Sequence, residues 1–525
     1  NNLGIICQEM DRYDDAVHAF STALKLCPEY ANTWISLGNV QQKMGDLPGA
    51  EISLKRALVL EPDSAQAYYN LGVCYEKKDQ VDLAENYYKK SIQLNPELIE
   101  AMNNLASMYL GIERVEEALP LVKRMLELEP DFPQAWFNLG NIYLDGNQSD
   151  LAEKNYLHAF SLSRSLPADM VTALLFSMSH NMAHSPSEQF ERHCFFGEKT
   201  ENKISHRYQH TPKWQPDHKI HIGFISGDFY HHAVMNFLEP VLEYLKDDPT
   251  LTLTAYMTGF KKDEHTQHLK GYFSAFHDCC AIGNNMLAEK IFQDQVDILI
   301  DLSGHTAFSR YELFAMRPAP IQASWLGYPG TSGLHSIDYY IGSYDFLPEG
   351  QFDELFTEKL VRMPCSSPFM PNSSAPEINE LPSLHQSGFR FASFNRLNKL
   401  SPYIINLWSQ LMRQVDGSTL LLGHMPSRGI PAWLLQEFEK NGIASDRLIC
   451  MSRARSYEYF AAHHNVDLCL DTYPYGGGTT SMSALWMGVP TLTLAGEYIP
   501  SRHGATIMGL FDLPAFVATS DVDFI

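Results

Sequence analysis

The sequence predicts an all-α repeat superhelix followed by an α/β region of two Rossmann-like domains. Three observations carry that expectation. Prolines recur every 34 residues in the first third. Further on, short buried apolar runs alternate with helix-like segments. Late in the chain, one such run ends in three consecutive glycines, Gly476 to Gly478, that lead into another helix.

The repeat is read first. Pro28, Pro62, Pro96 and Pro130 share the 34-residue period, as do Leu3-Gly4, Leu37-Gly38, Leu71-Gly72 and Leu139-Gly140, with Leu105-Ala106 in register. Each unit holds two amphipathic blocks; its small residue lets paired helices approach, and its proline closes the second helix. That is the tetratricopeptide pattern. The fifth unit, from Pro133, fades near Ser161–Pro167. Such arrays stack into a superhelix whose concave face suits extended peptides. Asn70, Asn104 and Asn138 share one register with Asn2, and Ser36 is the exception. A ladder of side-chain amides there could hold a peptide backbone, or could tie helices together.

A helical transition is expected over 167–215, then a first α/β domain over 216–375 and a second over 376–525. "KIHIGFIS", "LTLTAYM", "VDILIDL", "IQASWLG" and "IDYYIG" read as strands of the first; "FRFASF", "STLLLG", "RLICM", "VDLCLD" and "PTLTLAG" as strands of the second. Apolar strands alternating with helices imply parallel doubly wound sheets, with a ligand at the carboxyl ends of the strands. A Pro- and Ser-rich stretch, Met363–Pro382, is the expected connector.

Strand, glycine turn and helix start together make an anion site, because backbone N–H groups at a helix N-terminus are open. Thr479 and Thr480 add hydroxyls. No Gly-Lys-Ser/Thr follows, so the turn is not a P-loop. Lys399 and Arg396, after the first strand of the same half, are the candidate positive partners; a solvated surface role is the plain alternative for each. In the first half, His232 follows the first strand, where a base or hydrogen-bond donor would meet the cleft, and His231 beside it is expected to be exposed. A second loop carries His305, Thr306 and Arg310 ahead of the glycine- and proline-punctuated "GYPGTSG" turn.

At 525 residues the chain exceeds one core. Its 45% hydrophobic and 19% charged composition is that of a globular protein, and a net charge of −23 speaks against a nucleic-acid partner. No apolar run reaches the roughly 18 residues of a membrane span, so no membrane partner is expected. Nine scattered cysteines, Cys279 and Cys280 adjacent, show no metal or disulfide spacing, and a reduced cytoplasmic (or nuclear) location is the expectation. The chain opens inside a repeat and stops short of an expected helix, which leaves the repeat count open.

"RPAPIQASWLGYPGTSG", "FNRLNKLSP" and "LDTYPYGGGTTSMSALWMGVPTLTLAGE" resemble the O-linked N-acetylglucosamine transferases and the related SPINDLY protein O-fucosyltransferases. The resemblance implies a GT-B region of two Rossmann-like halves and a glycosyltransferase. Its donor is a nucleotide sugar (UDP-GlcNAc first, GDP-fucose as the alternative), its acceptors are protein serine and threonine in the repeat groove, and it uses no metal or other cofactor. By resemblance His232 is the first-half active-site histidine, with Asp263 a proton relay. Lys399 contacts the diphosphate with Thr479 and Thr480, Gly327 lines the sugar pocket, and Ala454 meets the base. Gly478 stands where the animal enzymes have a histidine. Ser483 replaces an acidic residue at the ribose, and Ser456 and Tyr459 replace the lysine and histidine that flank uracil. These departures, and the compact form, resemble bacterial-type or SPINDLY-like members; a repeat scaffold with a decayed catalytic half is the contrasting expectation.

Overall fold

The computed structural model describes residues 1–10, 12–163, 168–211, 218–365, 367–371, 375–385 and 388–525. It divides into two compact units, Asn1–Ile142 with Lys154–Ser165, and Tyr143–Glu153 with Leu166–Ile525. The expected borders at 166/167 and 215/216 lie outside the described residues.

The repeats are helix pairs: Asn2–Glu9 with Tyr13–Leu26, Ala31–Lys43 with Leu47–Leu60, Ala65–Lys77 with Val81–Leu94, Ile99–Gly111 with Val115–Leu128, and Pro133–Asp145 with Ser149–Leu162. Each periodic proline sits just beyond a second helix, where a missing N–H does no harm. The small residue is a steric device. A Cβ on Gly4 would lie 2.6 Å from Phe20, on Gly38 2.7 Å from Leu54, on Gly72 2.5 Å from Tyr88, and on Gly140 2.5 Å from Tyr156. The partner is always sixteen residues further on. Where the unit carries Ala106 instead, the residue at that spacing is the smaller Val122, and both are fully buried. The turns inside the second to fifth pairs hold another periodic feature: Gly45, Asp79, Glu113 and Asn147 all adopt left-handed φ, between 55° and 81°.

In the second unit, helices Ala168–Met178 and Pro186–Lys203 precede the sheets, the latter opened by a capping box between Ser185 and Glu188. Among the described residues the first sheet comprises β1 (Ile220–Ser226), β2 (Leu251–Met257), β3 (Ala275–Asp278), β4 (Ile298–Asp301), β5 (Ile321–Trp325), β6 (Tyr339–Ser343) and β7 (Lys359–Met363). Its order is β3-β2-β1-β4-β5-β6-β7, all parallel. The second comprises β8 (Arg390–Ser393), β9 (Thr419–Met425), β10 (Leu448–Ser452), β11 (Leu468–Leu470), β12 (Thr491–Leu494) and β13 (Val517–Ala518), in the order β10-β9-β8-β11-β12-β13, again parallel. Both cores are apolar on each face of the sheet; Trp408 is the bulkiest fully buried side chain.

The order of strands reverses between β1 and β4 in one sheet and between β8 and β11 in the other. A parallel doubly wound sheet opens a crevice at such a reversal, because the helices that follow its two strands diverge to opposite faces. The loops after β1, β4, β8 and β11 therefore define where chemistry can sit. They are the loops that carry His232, His305, Lys399 and the three glycines.

Gly72→Ala should destabilise the array by about 1–3 kcal/mol, since the added methyl has no room against Tyr88. In chemical denaturation, Gly72→Ala with Tyr88→Val, which copies the Ala106/Val122 pairing, should cost less than the two single changes summed. Additive losses would contradict the steric reading.

Candidate functional site

β11 ends in a carboxylate. Asp471 is buried, and its Oδ1 accepts from the N–H of Thr472 at 2.8 Å and of Gly477 at 2.7 Å, while Oδ2 accepts from Thr493 Oγ1 at 2.8 Å. The chain after β11 is thereby folded back on itself. Packing demands glycine at 477, where a Cβ would lie 2.2 Å from Thr480 Oγ1, and leaves little room at 476, where one would lie 3.2 Å from Asp471 Oδ2. Gly478 differs, because its missing side chain faces open space except for the ring of His503 at 3.6 Å.

The helix Thr479–Trp486 begins there with no side-chain cap. Its first intrahelical bond is made by Met482 to the carbonyl of Gly478, so the N–H groups of Thr479, Thr480 and Ser481 precede the ladder. The N–H groups of Gly476 and Gly477 are engaged, by Pro500 O at 3.1 Å and by Asp471. The open donors thus begin later than the expected Gly476–Thr480 stretch.

Lys399 comes to the same turn from the loop after β8. Its Nζ donates to Gly476 O at 2.9 Å and lies 4.3 Å from the centre of the Tyr475 ring. Burial lowers its pKa to about 7; Asp471 opposes that shift and Arg396 adds to it. The lysine is therefore poised to gain charge when an anion arrives. Tyr475 is backed by His180, stacked at 4.3 Å and 12°, from the turn after Ala168–Met178.

Across the crevice, His232 follows β1. Its Nδ1 receives the Val234 N–H at 3.4 Å and lies 3.6 Å from Asp228 Oδ2. Burial, then Arg396, Lys261 and His231, lower its pKa to about 4. Burial raises that of Asp228 to about 6, against a hydrogen bond from Tyr230 and the charge of Arg396. Arg396, exposed on the second half, is thus in electrostatic reach of the Asp228–His232 loop of the first. A neutral imidazole and an anion-ready lysine face one crevice from its two sides.

The profile of Glycosyl transferase family 41 matches residues 163–372 and 379–525, and tetratricopeptide profiles match within 6–154. The chain belongs to glycosyl transferase family 41. Among curated proteins it is similar to the Arabidopsis thaliana "Probable UDP-N-acetylglucosamine--peptide N-acetylglucosaminyltransferase SPINDLY", 31% identical over 59% of this chain and 35% of that protein. It is also similar to the protein of the same description named SEC from that plant, 30% identical over 55% of this chain and 30% of the other. The chain spans about a third of the length of these relatives. Among solved structures it is similar to a Thermobaculum terrenum O-GlcNAc transferase mutant, 27% identical, with a TM-score of 0.82 and 88% of each chain covered.

Several expected site residues lie elsewhere in the family 41 fold. His305 is fully buried; its Nε2 donates to Ser332 O at 3.0 Å and its ring packs on Tyr328, so it is a core histidine. Arg310 binds the carbonyls of Cys279 and Cys280 and Asn284 Oδ1, which ties the end of β3 to the following helix. At Gly327 the close approach is the chain's own, since a Cβ there would lie 2.1 Å from Leu302 O. Asp263 caps the helix Glu264–Leu269 through Thr266 N at 3.0 Å and accepts from His231 N at 2.9 Å. It holds the His231–His232 backbone, and the carboxylate facing His232 is Asp228.

In the second half, Ser483 is buried and hydrogen-bonds Tyr459, whose ring packs on Phe394 and His463. That pair lies in the packing beneath the crevice. Ala454 and Ser456 are half-buried after β10. Thr479 is half-buried at the helix start, and Thr480 Oγ1 donates to Asn395 Oδ1 at 3.2 Å. In the repeat unit Asn70 and Asn138 are buried. Asn138 donates to Asn103 at 3.0 Å and Ser107 at 3.3 Å, and Asn104 to Tyr69 OH at 3.3 Å. The amides of Asn104 and Asn138 thus tie neighbouring helices, whereas the amide nitrogen of Asn70 is buried without a hydrogen-bond partner among the described residues.

Asp228, His180, Asp471 and His503 were not singled out as site residues from the sequence. Only Asp471 has a signal there, a carboxylate closing a buried strand ahead of glycines.

Asp471→Asn should lower stability by about 1–3 kcal/mol, because its NH2 would face the donors on one side, either Thr472 and Gly477 or Thr493. A variant that melts with the wild-type chain would remove Asp471 as the clasp of this turn.

Proposed function

We propose that this chain transfers N-acetylglucosamine from UDP-GlcNAc to serine or threonine hydroxyls of proteins, with inversion and without a metal. The observation that carries the reading is the convergence of Lys399 and the open start of the Thr479–Trp486 helix on one crevice, opposite His232. Membership of family 41 and the printed names of the SPINDLY and SEC relatives support the donor and the acceptor class.

In this account the diphosphate seats on the N–H groups of Thr479 to Ser481, with Lys399 beside it. The acceptor hydroxyl attacks the anomeric carbon from the opposite face. The bond to the diphosphate oxygen breaks, the hydroxyl's proton passes to solvent, and the nucleotide leaves with added negative charge. Lys399 and the helix start stabilise that charge as it develops, a preorganised arrangement that needs no reorganisation at the moment of reaction. His232 has too low a pKa to take the hydroxyl's proton efficiently near neutral pH, so its part is to orient by hydrogen bonding. The repeat array presents the protein acceptor, since a surface of stacked helix pairs serves extended polypeptides.

Lys399→Met should fold normally and lose about 10²–10³ in turnover. The assay is mass spectrometry of an acceptor protein incubated with UDP-GlcNAc or with GDP-fucose. Addition of N-acetylhexosamine by the wild-type chain, lost in Lys399→Met, is the expected result. Transfer from GDP-fucose alone would overturn the donor, and undiminished transfer by Lys399→Met would overturn the role of the lysine.

A further inference from the structure

Helix Arg502–Leu510 contributes a side chain to the anion crevice that no sequence motif marks. His503 is half-buried near the start of that helix. Its Nδ1 lies 3.1 Å from Pro500 O, and a carbonyl only accepts, so Nδ1 carries the proton and Nε2 is the free edge of the neutral ring. The free edge is the one turned to the glycines. The ring atom nearest the missing side chain of Gly478 is Cδ2, at 3.6 Å, and Cδ2 is bonded to Nε2. Among the described residues, nothing else apart from the chain neighbours of Gly478 lies within 4 Å of that position.

Two further contacts fix the ring. Phe346, from the loop after β6, packs on it with centroids 4.7 Å apart, and Arg502 Nε donates to Phe346 O at 3.3 Å. Pro500 O also receives the N–H of Gly476, so one carbonyl holds both the imidazole and the glycine turn. His503 is therefore positioned by the same atoms that shape the anion site.

We infer that His503 is a binding residue for the donor's diphosphate, reaching a phosphate oxygen through Nε2 beside Gly478. The inference rests on the proposed nucleotide-sugar function and extends it to a side chain outside the Lys399 and Thr479–Ser481 set. It has a chemical consequence. Nδ1 is already committed to Pro500, so Nε2 can donate only when the ring takes a second proton. In the free protein, burial and the Lys399 charge lower the imidazole to about 4, with the Pro500 bond opposing. Of the charged groups on the elements packed about the ring, Lys399 from the β8 loop acts on it directly; Asp471, just after β11, faces Lys399 and Gly504, and Asp345 from the β6 loop acts on Arg502 of the same helix. A diphosphate beside Nε2 favours the imidazolium, so the nucleotide should bind with proton uptake at this residue.

The test is calorimetric titration of the full chain at pH 6 with UDP and with uridine, each in two buffers of different ionisation enthalpy. At pH 6 Lys399 is already largely charged, so proton uptake there is separated from the lysine. His503→Asn retains a donor near the Nδ1 position and removes Nε2. It should weaken UDP about tenfold or more, leave uridine unchanged and reduce the protons taken up. His503→Gln places a donor near the Nε2 position and should recover part of the lost affinity. Unchanged UDP affinity in His503→Asn would overturn the inference. So would equal weakening of UDP and uridine, which would make the ring a support of the fold. A wild-type chain that binds neither UDP nor GDP would instead overturn the function beneath it; one that binds GDP takes the same series with GDP and guanosine.

Discussion

The buried carboxylate of Asp471 organises the second half of the crevice. It stands at the end of β11, out of water, and is compensated by two backbone N–H groups and the Thr493 hydroxyl. Burying such a charge is costly unless it is fully hydrogen-bonded, so the turn must curl to supply its donors. That curl forces glycine at 477 and crowds 476, places the carbonyl of Gly476 where Lys399 can reach it, and releases the helix start as an open anion cradle. Asp471 also draws charge back toward Lys399, against the burial that would neutralise it.

Topology does the rest. Because both sheets reverse order beside their first strands, the loops after β1, β4, β8 and β11 converge on two facing crevices. Arg396 reaches across from one to the other and lowers the basicity of His232. The result is a division of labour by environment. The first half holds a neutral imidazole beside a carboxylate with a raised pKa, and the second holds cations and helix N–H groups suited to a leaving diphosphate.

Much of this was legible in the sequence wherever a pattern repeats or a run is fully apolar. The 34-residue landmarks give the helix pairs because sterics demand one small residue against one large one in every unit. Apolar runs such as "LTLTAYM" became strands of the first sheet with no shift of boundary. β3, β7 and β13 escaped notice because they are short or alternate in exposure, as sheet margins do. The left-handed turn positions were hidden because only Gly45 among them is a glycine; Asp79, Glu113 and Asn147 adopt the same φ under tertiary constraint. At the site, Lys399 and the threonines were readable as partners of a glycine turn. His305 and Arg310 were misplaced because spacing reports which loop a residue is on, and not whether its side chain turns to the crevice or to the core. His180 lies in the turn after one helix and His503 on another, and no local pattern ties either to the glycines.

Proton uptake on nucleotide binding at pH 8 tests the central claim most directly. Lys399, with a pKa of about 7, is then mostly neutral in the free protein, and a diphosphate at the helix start should restore its charge. Calorimetry with UDP at pH 8 in buffers of different ionisation enthalpy should show proton uptake in the wild-type chain that Lys399→Met loses. Tight UDP binding at pH 8 with no uptake, or with the same uptake in Lys399→Met, would mean that the diphosphate does not sit beside Lys399.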